Sequence, residues 1–119
     1  MKVLLGLVGS DTDRALDRML DRVRVTGDDL TIVIAGDDEE LVEEVTGKVE
    51  RALADVDLDV AVRHVEGDAG GQLVEIAETE GFDRIVLGGG QTSPMGKIKI
   101  GSTAEFVLLN SHTSVTLIR

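Results

Sequence analysis

Residues 30–66 read LTIVIAGDDEELVEEVTGKVERALADVDLDVAVRHVE and contain a complete strand–helix–strand pattern. Leu30–Gly36 is a run of branched apolar residues, as expected for a strand buried on both faces. An acidic start then leads into apolar residues at helical spacing, from Leu41 to Leu53, and Leu58–Glu66 follows as another strand. Strand, helix and strand in this order predict two parallel strands joined by a right-handed crossover.

The same alternation continues on both sides of this unit. The further predicted elements are strand Lys2–Val8, a helix that begins near Ser10, helix Asp68–Glu80 with Gly81 as its stop, strand Arg84–Gly88, helix Ser102–Asn110 and strand Ser114–Arg119. Five strands that alternate with four helices predict one α/β domain over residues 1–119. Its fold class is an open parallel five-stranded sheet with helices on both faces, a Rossmann-like arrangement.

Composition narrows the class of protein. Of the 119 residues, 42% are hydrophobic and 2% are aromatic, so the core must be aliphatic. The absence of cysteine excludes disulfides and thiolate metal sites. No apolar run is long enough to span a bilayer, and MKVLLGLVGSD is too short to be a signal peptide. We therefore expect a cytoplasmic protein with no membrane partner.

The net charge of the chain indicates which kinds of partner it can bind. Twelve basic residues against 23 acidic ones give a formal net charge of -11, and a polyanion such as nucleic acid would be repelled. Acidic excess with few lysines and few aromatics is also typical of proteins adapted to high salt. An ordinary acidic cytosolic protein is the alternative, and composition leaves both open.

The longest irregular connection runs from Gly88 through Ile100, after the fourth strand. Parallel α/β folds bind ligands at the carboxyl ends of their strands. Gly88, and then Gly101-Ser102-Thr103 at a helix start, offer glycine backbone, free N–H groups and hydroxyls, which suit a phosphate. Lys97 and Lys99 are half of the lysines in the chain.

Known phosphate-binding motifs do not match this loop. A P-loop needs glycine where Gln91 stands and a hydroxyl where Ile98 stands. The dinucleotide fingerprint fails at Ser93. A purely structural interpretation also exists, because Ser102 to Glu105 has the spacing of a capping box at a helix start. From the residues alone, phosphate binding and a capped turn both remain open.

Three stretches resemble the universal stress protein family. KVLLGLVGS is similar to the family's opening strand, and VEGDAGGQLVEIAETEGFDRIVLGG is similar to its central helix–strand segment. GSTAEFVLLNSHTSVTLIR is similar to its last helix and strand. The resemblance implies sheet order 3-2-1-4-5 and a homodimer formed through the last strand, Ser114–Arg119. For part of the family it also implies binding of ATP, with magnesium.

The resemblance also implies a set of site residues. Leu87 and Ala35 would line an adenine pocket, with Val8, Gly9 and Ser10 beneath it. The residues that would meet ribose and phosphates are Gly88, Gly101, Ser102 and Thr103. The chain departs from the family's pattern at two positions, since Gln91 replaces a glycine and Val8 replaces an aspartate.

Catalytic side chains are not evident. His64 and His112 have no sequence neighbour that would complete a triad or a metal site, and no nucleophile–base pair emerges. We expect a stress-response module that binds ATP or another adenine nucleotide. The alternatives are a dimeric interaction protein of the same fold with a degraded site and, third, a slow ATP hydrolase.

The charge of -11 predicts that salt stabilises the protein. Like charges repel one another in the compact state, and added ions screen that repulsion. Thermal unfolding in low and in molar KCl should show a higher midpoint in high salt. A midpoint that stays constant or falls with KCl would contradict this expectation.

Overall fold

Five parallel strands form the centre of the structure. The computed structural model describes residues 1–8, 17–19, 21, 29–54, 60–88, 91–92, 98–99 and 101–118. The strands of the main sheet are β1 (Lys2–Val8), β2 (Asp29–Ala35), β3 (Val60–Val65), β4 (Arg84–Gly88) and β7 (Ser114–Ile118). They lie in the order β3-β2-β1-β4-β7, and every pair is parallel. Two short strands of a separate sheet lie between β4 and β7 in the chain, so β7 is the fifth strand of the main sheet. The predicted sheet and its strand order 3-2-1-4-5 are therefore confirmed.

Three helices have complete bounds: α1 (Glu39–Leu53), α2 (Ala69–Thr79) and α3 (Ser102–Asn110). Helix α1 begins after Asp38, whose carboxylate accepts the N–H of Glu40 at 3.0 Å. Helix α2 ends before Gly81, which has φ of +71°, so the predicted stop is confirmed. Residues 17–19 and 21 are also helical, as predicted, whereas the expected start at Ser10 lies outside the described residues.

Side-chain alternation along β1 divides the core into two layers. Val3, Leu5 and Leu7 are buried on the face covered by α1 and by Met19. Leu4 is buried on the opposite face, which α2 and α3 cover. Helices therefore lie on both faces of the sheet, as a parallel sheet requires when both of its faces are apolar.

Two glycines allow close packing on the face covered by α2 and α3. A Cβ at Gly6 would lie 2.7 Å from Leu87 Cδ2 and 2.9 Å from Leu73 Cδ1. A Cβ at Gly70, in α2, would lie 2.8 Å from the ring of Phe106 in α3. Both positions lack room for any larger residue, so glycine sets how closely α2 approaches β1 and α3.

The connection after β4 contains structure that the sequence analysis missed. Gln91–Thr92 and Ile98–Lys99 form β5 and β6, a two-stranded antiparallel sheet. The expectation of an irregular connection was wrong for these residues. Two-residue strands are too short to show the alternation of apolar and polar residues that identifies a strand in sequence.

Lys2 links the amino-terminal end of β1 to the turn between α2 and β4. Its Nζ donates to the carbonyl of Glu80 at 2.6 Å and lies 4.4 Å from the centre of the Phe82 ring. The backbone N–H of Lys2 donates to the carboxylate of Asp83, and the N–H of Asp83 donates to the carbonyl of Lys2.

In the described part of the chain, no helix is long and apolar enough to cross a membrane.

Substitution of Gly70 tests the packing between α2 and α3. Gly70→Ala should lower the free energy of unfolding by about 1–3 kcal/mol, because the new methyl group would press on the Phe106 ring. Gly47→Ala is the matched control, since its Cβ would meet only the flexible end of Arg51, at 3.4 Å. That change should stabilise α1 by roughly 0.5–1 kcal/mol. Denaturant unfolding of both variants measures the difference, and equal effects would contradict the packing argument.

Candidate functional site

The carboxyl edge of the sheet brings several of the expected site residues together. Val8 ends β1, Ala35 ends β2, and the two are register partners. Gly88 ends β4, which pairs with β1 on its other side. Adjacent strands lie about 4.8 Å apart, so these three strand ends form one row on the same edge.

A cavity of about 370 Å³ opens beside this row. Its lining residues come from the ends of β1 and β2, the turn that follows, and the inner side of α1: Val8, Ile34, Ala35, Gly36, Asp37, Asp38, Leu41, Val42 and Val45. Most of these side chains are apolar, and the volume lies in the range of small-molecule pockets. The cavity therefore suits a flat, largely apolar ring.

Two carboxylates stand on the rim of the cavity, and both already accept hydrogen bonds. Asp37 Oδ1 accepts the N–H of Gly67 at 2.8 Å, and Asp38 Oδ1 accepts the N–H of Glu40. These bonds hold Asp37 against the turn after β3 and Asp38 at the start of α1. The rim is therefore negative, and it disfavours an anionic group at this end of the site.

The wall of the cavity is tied to β3 by backbone contacts. The N–H of Gly36 donates to the carbonyl of Val65 at 3.1 Å, and His64 Nε2 lies 2.9 Å from the carbonyl oxygen of Gly36. His64 thus supports the turn after β2. Sequence reasoning missed Gly36 and Leu41 as lining residues. Gly36 could have been found because it directly follows Ala35 at the strand end, whereas Leu41 lies in α1 and reaches the cavity only through packing.

The start of α3 differs from the capping box considered above. Gly101, with φ −67° and ψ 157°, is the N-cap, and its carbonyl accepts the N–H of Glu105 at 3.0 Å. Ser102 is thus the first helical residue, and no side chain caps this helix. Among the described residues, neither the Ser102 nor the Thr103 hydroxyl has a hydrogen-bond partner. The capping-box interpretation is wrong because glycine takes the cap position.

Topology places the start of α3 at the carboxyl edge. Helix α3 ends at Asn110, shortly before Ser114, which pairs with Arg84 at the opposite edge of the sheet. Nine helical residues span about 14 Å, close to the length of β4. The exposed residues Gly101 and Ser102 and the half-buried Thr103 therefore lie on the same edge as Val8, Ala35 and Gly88.

The remaining expected site residues are placed as follows. The Leu87 side chain is enclosed in the core beneath α2 and α3, away from the described cavity, because alternation along β4 turns it to that face. Gln91 lies in β5, where its backbone pairs with that of Lys99. Gly9, Ser10 and Lys97 lie outside the described residues.

Comparison with known proteins identifies the family. A sequence profile described as the universal stress protein family matches residues 33–119. The chain belongs to this family. Among curated proteins, none matches the sequence of this universal stress protein.

Solved structures show the same fold. A universal stress protein from Archaeoglobus fulgidus has 22% identity and a TM-score of 0.75, with 100% of this chain and 98% of that chain covered. An Archaeoglobus fulgidus universal stress protein in complex with dAMP has 20% identity and a TM-score of 0.69, with coverage of 100% and 98%. A universal stress protein in complex with cAMP has 25% identity and a TM-score of 0.71, with coverage of 99% and 97%.

Alanine substitutions at the starts of α1 and α3 should differ in their effect on stability. Asp38→Ala removes a side-chain cap and should lower the free energy of unfolding by about 0.5–2 kcal/mol. Ser102→Ala removes no cap and should change it by less than about 0.5 kcal/mol. Chemical denaturation of both variants gives the comparison. A cost at Ser102 as large as that at Asp38 would show that its hydroxyl does cap α3.

Proposed function

We propose that this universal stress protein binds an adenine nucleotide, with ATP and its magnesium ion as the foremost candidate, and acts as a small cytoplasmic stress-response module. The observation that carries the proposal is the apolar cavity of about 370 Å³ on the same edge as the start of α3, which no side chain caps. A nucleotide needs both features, because its base is flat and weakly polar while its phosphates are anionic.

The charges along the carboxyl edge of the sheet favour one orientation of the bound nucleotide. Asp37 and Asp38 make the cavity rim negative, so the phosphates would turn away from it. The first turn of α3 offers backbone N–H groups and the positive end of the helix dipole. The base would therefore occupy the cavity, and the phosphates would lie at Gly101, Ser102 and Thr103. Gly88, between the two on β4, would lie near the sugar.

Bound ligands in similar structures support an adenine nucleotide. One similar universal stress protein was crystallised with cAMP and another with dAMP. Both ligands share the adenine ring and differ in sugar and phosphate. The shared ring agrees with a cavity whose side chains are mostly apolar.

A second candidate is a dimeric interaction module of the same fold that binds no nucleotide. Gln91 favours it, because the resemblance places a glycine there and the structure instead has an antiparallel strand pair. Val8 favours it too, because an apolar side chain lines the cavity where the family's pattern has a carboxylate that could bind a sugar hydroxyl.

In either case we propose a homodimer formed through β7. Among the residues that the structure describes, β7 pairs only with β4, so its other edge has no partner strand there. Its residues Ser114–Ile118 carry no charge. An open apolar edge invites pairing with another strand, and two-fold pairing of two copies would close both edges.

Gly101→Val separates nucleotide binding from stability. The backbone at Gly101 has dihedral angles that valine adopts readily, and a Cβ there would meet nothing within 4 Å. Strain is therefore absent, and the free energy of unfolding should fall by no more than about 1 kcal/mol, the cost of exchanging glycine for an apolar residue at the N-cap. Affinity for Mg-ATP should fall at least about tenfold, because the side chain would obstruct the N–H groups that face the phosphates. Calorimetric titration measures the affinity.

Gly47→Ala serves as the control in this titration, since residue 47 lies outside the cavity lining and should leave affinity unchanged. Nucleotide carried through purification is a further readout. The chain has no Trp or Tyr, so adenine absorbance released on denaturation stands above a low protein background. No released nucleotide, and no heat with ATP, AMP or cAMP, would favour the interaction module instead.

A further inference from the structure

The turn after β2 forms part of the cavity wall, and hydrogen bonds from the neighbouring strand hold it. Gly36 and Asp37 line the cavity. The N–H of Gly36 donates to the carbonyl of Val65, and the carbonyl oxygen of Gly36 lies 2.9 Å from His64 Nε2. Asp37 Oδ1 accepts the N–H of Gly67 at 2.8 Å. This part of the wall is therefore positioned by the end of β3 and the turn that follows it, which lie outside the cavity lining.

His64 makes its hydrogen bond as a donor. A carbonyl oxygen can only accept, so Nε2 carries the proton in this contact. By alternation along β3, His64 lies on the same side of the sheet as Val60, which packs against the core layer that α1 covers. The cavity is lined by α1 on that same side. The imidazole therefore contacts the cavity wall on the side of the sheet where the cavity lies.

Strand β3 has little side-chain packing of its own. Among the residues that the structure describes, it is an edge strand that pairs only with β2. Its four middle residues, from Ala61 to His64, are exposed, and only Val60 and Val65 are half-buried. Packing therefore restrains this edge weakly, and individual hydrogen bonds determine how well the turn after β2 is ordered.

An ordered wall raises the affinity of the cavity for its ligand. A ligand that has to order a mobile turn when it binds loses the free energy of that ordering from its affinity. We propose that His64 is a positioning residue for the base of the nucleotide, an inference that rests on the nucleotide binding proposed above. Its hydrogen bond to Gly36 keeps the wall in the shape that receives the ring before the ligand arrives.

Three substitutions of His64 test this role. The side-chain nitrogen of glutamine is separated from Cα by the same number of bonds as Nε2 of histidine, and that of asparagine by one bond fewer. His64→Ala and His64→Asn should each weaken binding of Mg-ATP about fivefold, which corresponds to the loss of one ordinary hydrogen bond. His64→Gln keeps the donor in place and should bind within about twofold of wild type. Calorimetric titration measures all four affinities.

Titration with adenosine locates the effect within the site. Adenosine has the base and the sugar but no phosphate, so His64→Ala should weaken adenosine and Mg-ATP by the same factor. Gly101→Val, at the phosphate end, should weaken Mg-ATP alone. A loss that His64→Ala shows with Mg-ATP but not with adenosine would overturn the role of His64 at the base.

Arg63→Ala is the matched control. Arg63 precedes His64 on the same exposed strand, and its guanidinium contacts the carboxylate of Glu80 at 2.8 Å. Alternation turns Arg63 to the opposite side of the sheet, away from the cavity. Its substitution removes a polar contact of β3 but leaves the turn after β2 untouched, so the affinities for Mg-ATP and adenosine should not change.

Amide hydrogen exchange in the ligand-free protein gives a second readout. The N–H of Gly36 should exchange faster in His64→Ala than in wild type, and His64→Gln should restore the slower rate. Equal affinities of wild type and His64→Ala, a glutamine variant as weak as the alanine variant, or an equal loss in Arg63→Ala would each overturn the role of His64 while nucleotide binding stands. A wild type that binds neither Mg-ATP nor adenosine would overturn the proposed function, and the role of His64 with it.

Discussion

Parallel pairing of five strands is the constraint on which the rest of the structure depends. Because all five strands run the same way, all of their carboxyl ends lie on one edge of the sheet. The connections that follow β1, β2 and β4 must therefore begin on that edge, and the helix before β7 must begin there as well. The candidate site is a product of this geometry, since Val8, Ala35, Gly88 and Gly101 are far apart in sequence.

The same constraint explains why the core is aliphatic and why two glycines matter. A parallel sheet buries both faces, so every strand residue near the centre needs helix cover. With aromatics at 2% of the chain, the layers are filled by Val, Leu and Ile. Gly6 and Gly70 then allow α2 to approach β1 and α3 more closely than any side chain would permit. The position of α3, and of the helix start that the nucleotide would use, depends on this close packing.

The charged and the nearly uncharged surfaces lie on different parts of the molecule, and each suits a different proposed role. The acidic start of α1 holds the rim of the cavity, where Asp37 and Asp38 are fixed by N–H groups of Gly67 and Glu40. Helix α3 and β7 are almost free of charge. One segment, residues 101–118, would therefore bind the phosphates at its beginning and a second copy at its end, through β7. The proposals for the nucleotide and for the dimer converge on this segment.

The sequence predicts the fold class, the order of the elements and most of their bounds, because the periodicity of apolar residues is a local signal. It also indicated Gly88 and Gly101–Thr103, since glycines and hydroxyls at a helix start are visible in the chain. The folded structure was needed to show that Gly101 rather than Ser102 caps α3, because the cap depends on where the backbone turns. It alone showed β5 and β6, whose pairing joins residues too few to form a pattern. It also placed Leu87 in the core and Leu41 at the cavity, since the face to which a side chain turns depends on how strands and helices pack together.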